Sequence, residues 1–191
     1  EAVLLADRLG YCEALIGEHV TDVCESIPSC LAFIASLAHE TKRIKLGSGT
    51  VNLPNSPPPQ VAATVAMVDH MLEGRFLFGI GPGGLRSDQE VFGNLDLDRN
   101  EMFVEAIDQI LAIWAGDAPY RLKGKYWNVT TENTLIREAG QGVMLKPYQK
   151  PHPPIVVTVV VPHSKGVAVA GARGWTPISG NFLLPVWVAG H

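Results

Sequence analysis

The segment from Ile44 to Gly84 carries one design twice, and that repetition constrains the fold more than any other feature of the chain. In each copy a β-rich run, IKLGSGTVNLP and then RFLFGIGPGG, ends in glycine-rich backbone, with a helix-like stretch between them. Further short apolar runs at about 12–17, 155–161 and 176–180 join those at 43–51 and 75–80 as strand candidates. Helix-length amphipathic segments at 29–40, 60–72 and 100–114 separate them. Alternation of this kind forces parallel strands joined by crossovers, hence an open doubly wound sheet or a (β/α) barrel. Such folds place ligands at the C-terminal ends of their strands, where both glycine clusters fall.

Composition narrows the class. With 191 residues, 47% hydrophobic and 18% charged, the chain can bury a sizeable core, and it holds no apolar run of the length a membrane helix requires. A formal net charge of -4 and the lack of a basic tract interleaved with aromatics argue against a nucleic-acid partner. Three cysteines, Cys12, Cys24 and Cys30, form no metal-type pair and leave one over in any disulfide scheme, so a reducing cytoplasm is expected and a metal site is not. Residues 115–153 break the rhythm with Gly116, Pro119, Gly124, Gly140, Gly142, Pro147, Pro151 and Pro153. They read as a long excursion within a single domain spanning 1–191, carrying one hairpin around Tyr126 to Val129, and able to act as a lid.

Four clusters could carry chemistry. Gly47-Ser48-Gly49-Thr50 lets the backbone approach a planar ligand, or turns the chain tightly from strand to helix. Gly79-Ile80-Gly81-Pro82-Gly83-Gly84 has the look of a dinucleotide fingerprint, but Pro82 interrupts it and a polar, loop-like RSDQE follows where a helix should open. Glu18-His19 closes the first strand, setting an imidazole suited to proton exchange near neutrality beside a carboxylate. His163-Ser164-Lys165-Gly166 follows the 155–161 strand; Ser164 is a candidate N-cap, and the free N–H groups beside Lys165 would suit an anion. His39, His70 and His152 default to structural roles.

The succession ADRLGYCEALIGEH, TKRIKLGSGTVNLP, VDHMLEGRFLFGIGPGG, FGNLDLDRNEMFVEAIDQILAIW, GKYW and KPYQKPHPPI resembles the bacterial luciferase-like flavin monooxygenases, nearest the branch with limonene and alkanal-type enzymes. The resemblance implies a (β/α)8 TIM barrel whose rim binds reduced FMN, supplied by a separate flavin reductase, with O2 and a hydrophobic organic substrate as co-reactants. Some relatives use the deazaflavin F420 for hydride transfer instead. His19 would assist the flavin's oxygen chemistry with Glu18 as its neighbour, and Gly49-Thr50 would be the bulge, often a non-prolyl cis peptide, beneath the isoalloxazine ring. Gly81 and Pro82 fall where luciferases carry a cysteine and an arginine beside the flavin, and His163 to Gly166 fall at the cofactor phosphate. A homodimer through the 29–40 and 60–72 helices is also implied.

Two departures bear on this reading. The turn after Leu53-Pro54 is Asn55-Ser56-Pro57-Pro58-Pro59 in place of a His-rich one, with Ala63 where an acid often follows. The chain is also short of the roughly 250 residues of a closed barrel, so five to six strands of an incomplete barrel are expected. A short flavin-binding relative without catalysis is the alternative to an enzyme fragment.

Overall fold

Phe76–Gly81 is buried along its whole length, and this explains why its sequence, FLFGIG, is continuously apolar: a central strand of a parallel sheet is covered on both faces. The computed structural model describes residues 1–161, 163–179 and 184–189, with the backbone alone at 187. Pro162, between the 155–161 strand candidate and His163, and Gly180, at the end of the 176–180 candidate, lie outside the described residues.

In chain order the elements are α1 (Ala2–Leu9), β1 (Glu13–Ile16), α2 (Cys30–Leu37), β2 (Lys45–Ser48), β3 (Val51–Asn52), a 3-10 turn (Leu53–Asn55), α3 (Pro58–Met71) and β4 (Phe76–Gly81). Then follow α4 (Arg86–Val91), α5 (Arg99–Ala115), β5 (Arg121–Lys123), β6 (Asn128–Thr130), a 3-10 turn (Arg137–Ala139), β7 (Ile155–Val159), α6 (Lys165–Ala172), β8 (Thr176–Ser179) and α7 (Pro185–Val188). The main sheet runs β1-β2-β4-β7-β8, with β3 beside β4, and every pairing in it is parallel. Registers Ile16↔Ser48, Val51↔Ile80 and Ile80↔Val157 bring the C-terminal ends of five strands, β1, β2, β3, β4 and β7, to one edge. That edge holds the candidate site.

Helix starts are written locally. Ser29 Oγ accepts from the Ala32 N–H at α2, Asp98 Oδ1 from the Asn100 and Glu101 N–H groups at α5, and Ser164 Oγ from the Gly166 N–H at α6. α3 starts on prolines, which suit a first turn that lacks intrahelical partners. Helices α2, α3 and α5 cover one face of the sheet through Ile34, Val61, Val65, Ile107 and Ile110, all buried against Phe76, Phe78 and Ile80. Truncating Phe78 to Ala would cost about 3–5 kcal/mol.

One expectation needs correction. The polar RSDQE stretch is not a loop: Arg86–Val91 is helix α4, and its Asp88 and Gln89 are buried. Residues 115–153 carry a hairpin around Tyr126 to Val129: β5 pairs antiparallel with β6, and the turn is 124–127. This hairpin is tied down by two acids of α5. Glu105 accepts from the Lys125, Tyr126 and Trp127 N–H groups, and Glu101 accepts from Lys125 Nζ and the Tyr126 hydroxyl. Further along, Gln149 donates its backbone and side-chain N–H groups to the buried carboxylate of Asp69 on α3. Three other histidines serve structure: His70 meets the Lys146 carbonyl, His152 stacks near Trp114, and His39 contributes its own carbonyl to Lys42. Among the described residues no helix is long and apolar enough to cross a membrane.

Candidate active site

At the C-terminal edge of the sheet the strand ends enclose a cleft of about 500 Å³, within the range of small-ligand sites. Glu18 and His19 follow β1, Gly49 and Thr50 join β2 to β3, Gly81 and Pro82 end β4, and Thr158 and Val160 come from the end of β7. Six residues singled out from the sequence thus meet in one place.

The floor is backbone. The Gly49–Thr50 peptide bond is cis, as the resemblance implied. A Cβ on Gly49 would stand 3.0 Å from Leu15 Cβ, and one on Gly81 would stand 2.7 Å from Thr50 Oγ1. Glycine at both positions is what allows the backbone to lie so close to these neighbours. Two residues earlier on β4, a Cβ on Gly79 would lie 1.8 Å from the Ser48 carbonyl oxygen, so glycine there is what allows β2 and β4 to close up.

His19 owes its position to a residue 69 positions away in sequence. Its Nδ1–H donates to Asp88 Oδ2 at 3.0 Å. The other oxygen, Asp88 Oδ1, accepts from the Val20 N–H (3.2 Å), the Thr21 N–H (2.9 Å) and the Thr21 hydroxyl (2.6 Å). Burial pushes the Asp88 carboxyl up, but the hydrogen bonds from Thr21 and His19 outweigh it and hold the group below the usual carboxylate range. An ionised carboxylate only accepts, which places the ring proton on Nδ1 and leaves the Nε2 lone pair for the cleft.

Glu18 has a different task. Its Oε2 accepts from the Cys30 N–H at the start of α2 (3.0 Å), and its Oε1 from the Asn52 N–H of β3 (3.2 Å), while its carbonyl accepts from Asn52 Nδ2 (3.4 Å). Both oxygens are engaged by the backbone, so Glu18 joins β1, β3 and α2 and so holds His19 in register. Burial and the adjacent Glu18 carboxylate push the Cys30 thiol far up, which keeps it protonated.

Sequence reasoning missed Asp88, Glu25, Thr158 and Arg99. Arg99, on the first turn of α5, is the only Lys or Arg among the described residues bordering the cleft, and its Nη1 donates to the Gly83 carbonyl at 2.8 Å. It supplies near Pro82 the positive charge that Pro82 itself cannot. Its signal in the sequence was its place one residue after the helix-capping Asp98. His163, Ser164, Lys165 and Gly166 do not border the cleft; they start α6, a few residues beyond Val160. No described residue of 115–153 borders it, and the hairpin is fastened to α5.

Known proteins resemble this chain in both sequence and fold. A sequence profile of the luciferase-like monooxygenase family matches residues 1–183. Limonene 1,2-monooxygenase of Rhodococcus erythropolis is 40% identical over 117 residues, covering 61% of this chain and 30% of that protein. The 4-hydroxyprotoasukamycin monooxygenase of Streptomyces nodosus subsp. asukaensis is 32% identical over 173 residues, covering 91% of this chain and 44% of that one. Among solved structures, the oxygenating constituent of 3,6-diketocamphane monooxygenase from Pseudomonas putida, in complex with FMN, superposes with a TM-score of 0.85 at 29% identity. That match covers 93% of this chain and 50% of the other, so this chain spans half or less of the length of each of these relatives. Its parallel sheet is accordingly a curled half-barrel of the kind these relatives contain. With the family profile spanning nearly all of its length and the fold matching at that score, the chain belongs to the luciferase-like monooxygenase family.

Proposed function

We propose that the protein uses reduced FMN and O2 to oxygenate a hydrophobic organic substrate of terpene, alkane or aldehyde type, and that this chain forms its cofactor seat. The observation that carries the reading is the meeting of the Gly49–Thr50 peptide and Gly81 with the His19 imidazole in one cleft of about 500 Å³. A flat tricyclic ring fits against this backbone, and a Cβ at either glycine would intrude on neighbouring atoms.

FMN, when bound, would supply the activation of O2; the protein supplies placement, exclusion of water and proton handling. Gly49, Thr50, Gly81 and Pro82 would support the ring. His19, held by Asp88, would take or return a proton at Nε2. Arg99 and the start of α6, where Ser164 caps the Gly166 N–H next to Lys165, offer a positive charge and a helix N-terminus for the phosphate.

The reductase partner rests on the diketocamphane relative, which is the oxygenating constituent of its enzyme. A homodimer is part of the proposal too, through Phe33 of α2 and Met67 of α3, large apolar side chains that both helices leave exposed. Anaerobic titration of the intact protein with reduced FMN, with reduced F420 in parallel, tests the cofactor. Tight FMN binding followed by oxygenation of a terpene, alkane or aldehyde on admitting O2 is expected. Failure to bind FMN, or preference for F420, would overturn the proposal.

A further inference from the structure

On the solvent side of the imidazole stands a second carboxylate. Glu25 Oε2 lies 3.7 Å from His19 Nε2, and Glu25 borders the same cleft. Its position is built by the backbone. The Ile27 N–H donates to the Glu25 carbonyl at 2.8 Å, and the Ile27 carbonyl accepts from the N–H of His19 itself at 3.1 Å. The turn carrying Glu25 is therefore fastened to the residue it faces. Just upstream, the Cys24 N–H donates to Asp22 Oδ1 at 2.8 Å and shapes the same turn.

Side-chain exposure falls along this line from 64% at Glu25 through 26% at His19 to 4% at Asp88. Three ionisable groups thus run from solvent into the protein, with the imidazole in the middle. Other charged groups near the ring are spoken for: Glu18 by the Cys30 and Asn52 amides, Arg99 by the Gly83 carbonyl, and Asp22 by the Cys24 amide.

We propose that Glu25 is the proton outlet of the site. With Nδ1–H held by Asp88, His19 accepts a proton on Nε2 from a group in the cleft, forming one N–H bond. It then releases that proton from the same nitrogen to Glu25, where an O–H bond forms, and ionisation of Glu25 to bulk water returns both groups to their starting states. No electron changes hands. The 3.7 Å gap exceeds a hydrogen bond, so transfer runs through one water or a small rotation of the exposed Glu25 side chain. The involvement of His19 in proton handling rests on the proposed function; the part played by Glu25 extends it.

The test uses the intact, flavin-free protein with 15N-labelled histidine. Ring-nitrogen NMR of wild type is expected to show His19 protonated at Nδ1 and rapid proton exchange at its ring. Glu25→Gln should slow that exchange on the order of 10²-fold, the lower end of what a positioned acid–base group contributes. Glu25→Asp should stay near wild type, and added formate should restore exchange in Glu25→Gln by replacing the missing carboxylate. Unchanged exchange in Glu25→Gln, or slowed exchange that formate does not restore, overturns the proposal. A parallel titration with reduced FMN keeps the two ideas apart: absent FMN binding in wild type would remove the cofactor reading and leave the exchange result to decide on Glu25.

Discussion

Three glycines of one strand and its following loop should respond to the same added methyl group in three different ways. At Gly79 a Cβ would lie 1.8 Å from the Ser48 carbonyl oxygen and 2.9 Å from the Ser48 carbonyl carbon, both backbone atoms of the neighbouring strand. Neither can rotate away, so Gly79→Ala must push β2 and β4 apart. The cost belongs at or above the upper end of the overpacking range, about 3 kcal/mol, or a fall in Tm of about 6–12 °C for a chain of this size. At Gly81 the nearest atom is Thr50 Oγ1 at 2.7 Å, the end of a side chain held only by a 3.4 Å contact to Asn52 Oδ1. Thr50 can turn, so Gly81→Ala should cost about 1 kcal/mol, a Tm loss of about 2–4 °C. Its methyl group then stands on the ring seat, and affinity for reduced FMN should fall by about 10–100-fold, or roughly 1.4–2.8 kcal/mol. At Gly84 no atom lies within 4 Å and φ is ordinary, so Gly84→Ala should leave stability unchanged. Thermal unfolding and anaerobic FMN titration on the three variants separate sheet packing from the cofactor seat. A Gly79→Ala protein as stable as wild type, or a Gly81→Ala protein with unaltered FMN affinity, would refute the reasoning.

Other predictions follow from acids that hold backbone. The Ile44, Lys42 and Arg43 N–H groups hold the Asp7 carboxyl down to about 2. A depressed folded value adds stability above the ordinary value of 3.8 that is lost as pH falls from there toward about 2; Asp7→Asn should flatten the pH dependence of Tm across that window. Asp88→Ala strips the hydrogen bonds of His19, Val20 and Thr21 and should cost about 2–4 kcal/mol in denaturant unfolding; a loss under 1 kcal/mol would contradict its role. Glu105→Ala removes the acceptor for the Lys125, Tyr126 and Trp127 N–H groups, so amide hydrogen exchange at 125–127 should rise by about tenfold or more while the sheet stays protected. Equal exchange in mutant and wild type would show the hairpin to be held by something else.

How far the sequence reveals this arrangement depends on whether a residue's partners are near it in the chain. The buried strand FLFGIG, the cap Ser164 and the glycines at strand ends announce themselves, because burial on two faces, capping and close approach each restrict residue type at that position. Asp88 does not. Its partners His19, Val20 and Thr21 lie 67 to 69 residues away, and α4 is too short for an apolar stripe to show. Glu18 was legible as a residue at the site but not as a clamp, since its amide partners come from two other elements. The hairpin was visible from its glycines and aromatics, whereas its attachment to Glu101 and Glu105 depends on the tertiary placement of α5.

The account stands or falls on where the flavin ring rests. A crystal structure of the intact protein with FMN addresses this directly. The isoalloxazine is predicted to lie against the Gly49–Thr50 peptide, in van der Waals contact with Gly81 and with His19 Nε2 facing it. Density for the ring elsewhere, with Gly49, Thr50 and Gly81 untouched, would contradict the account.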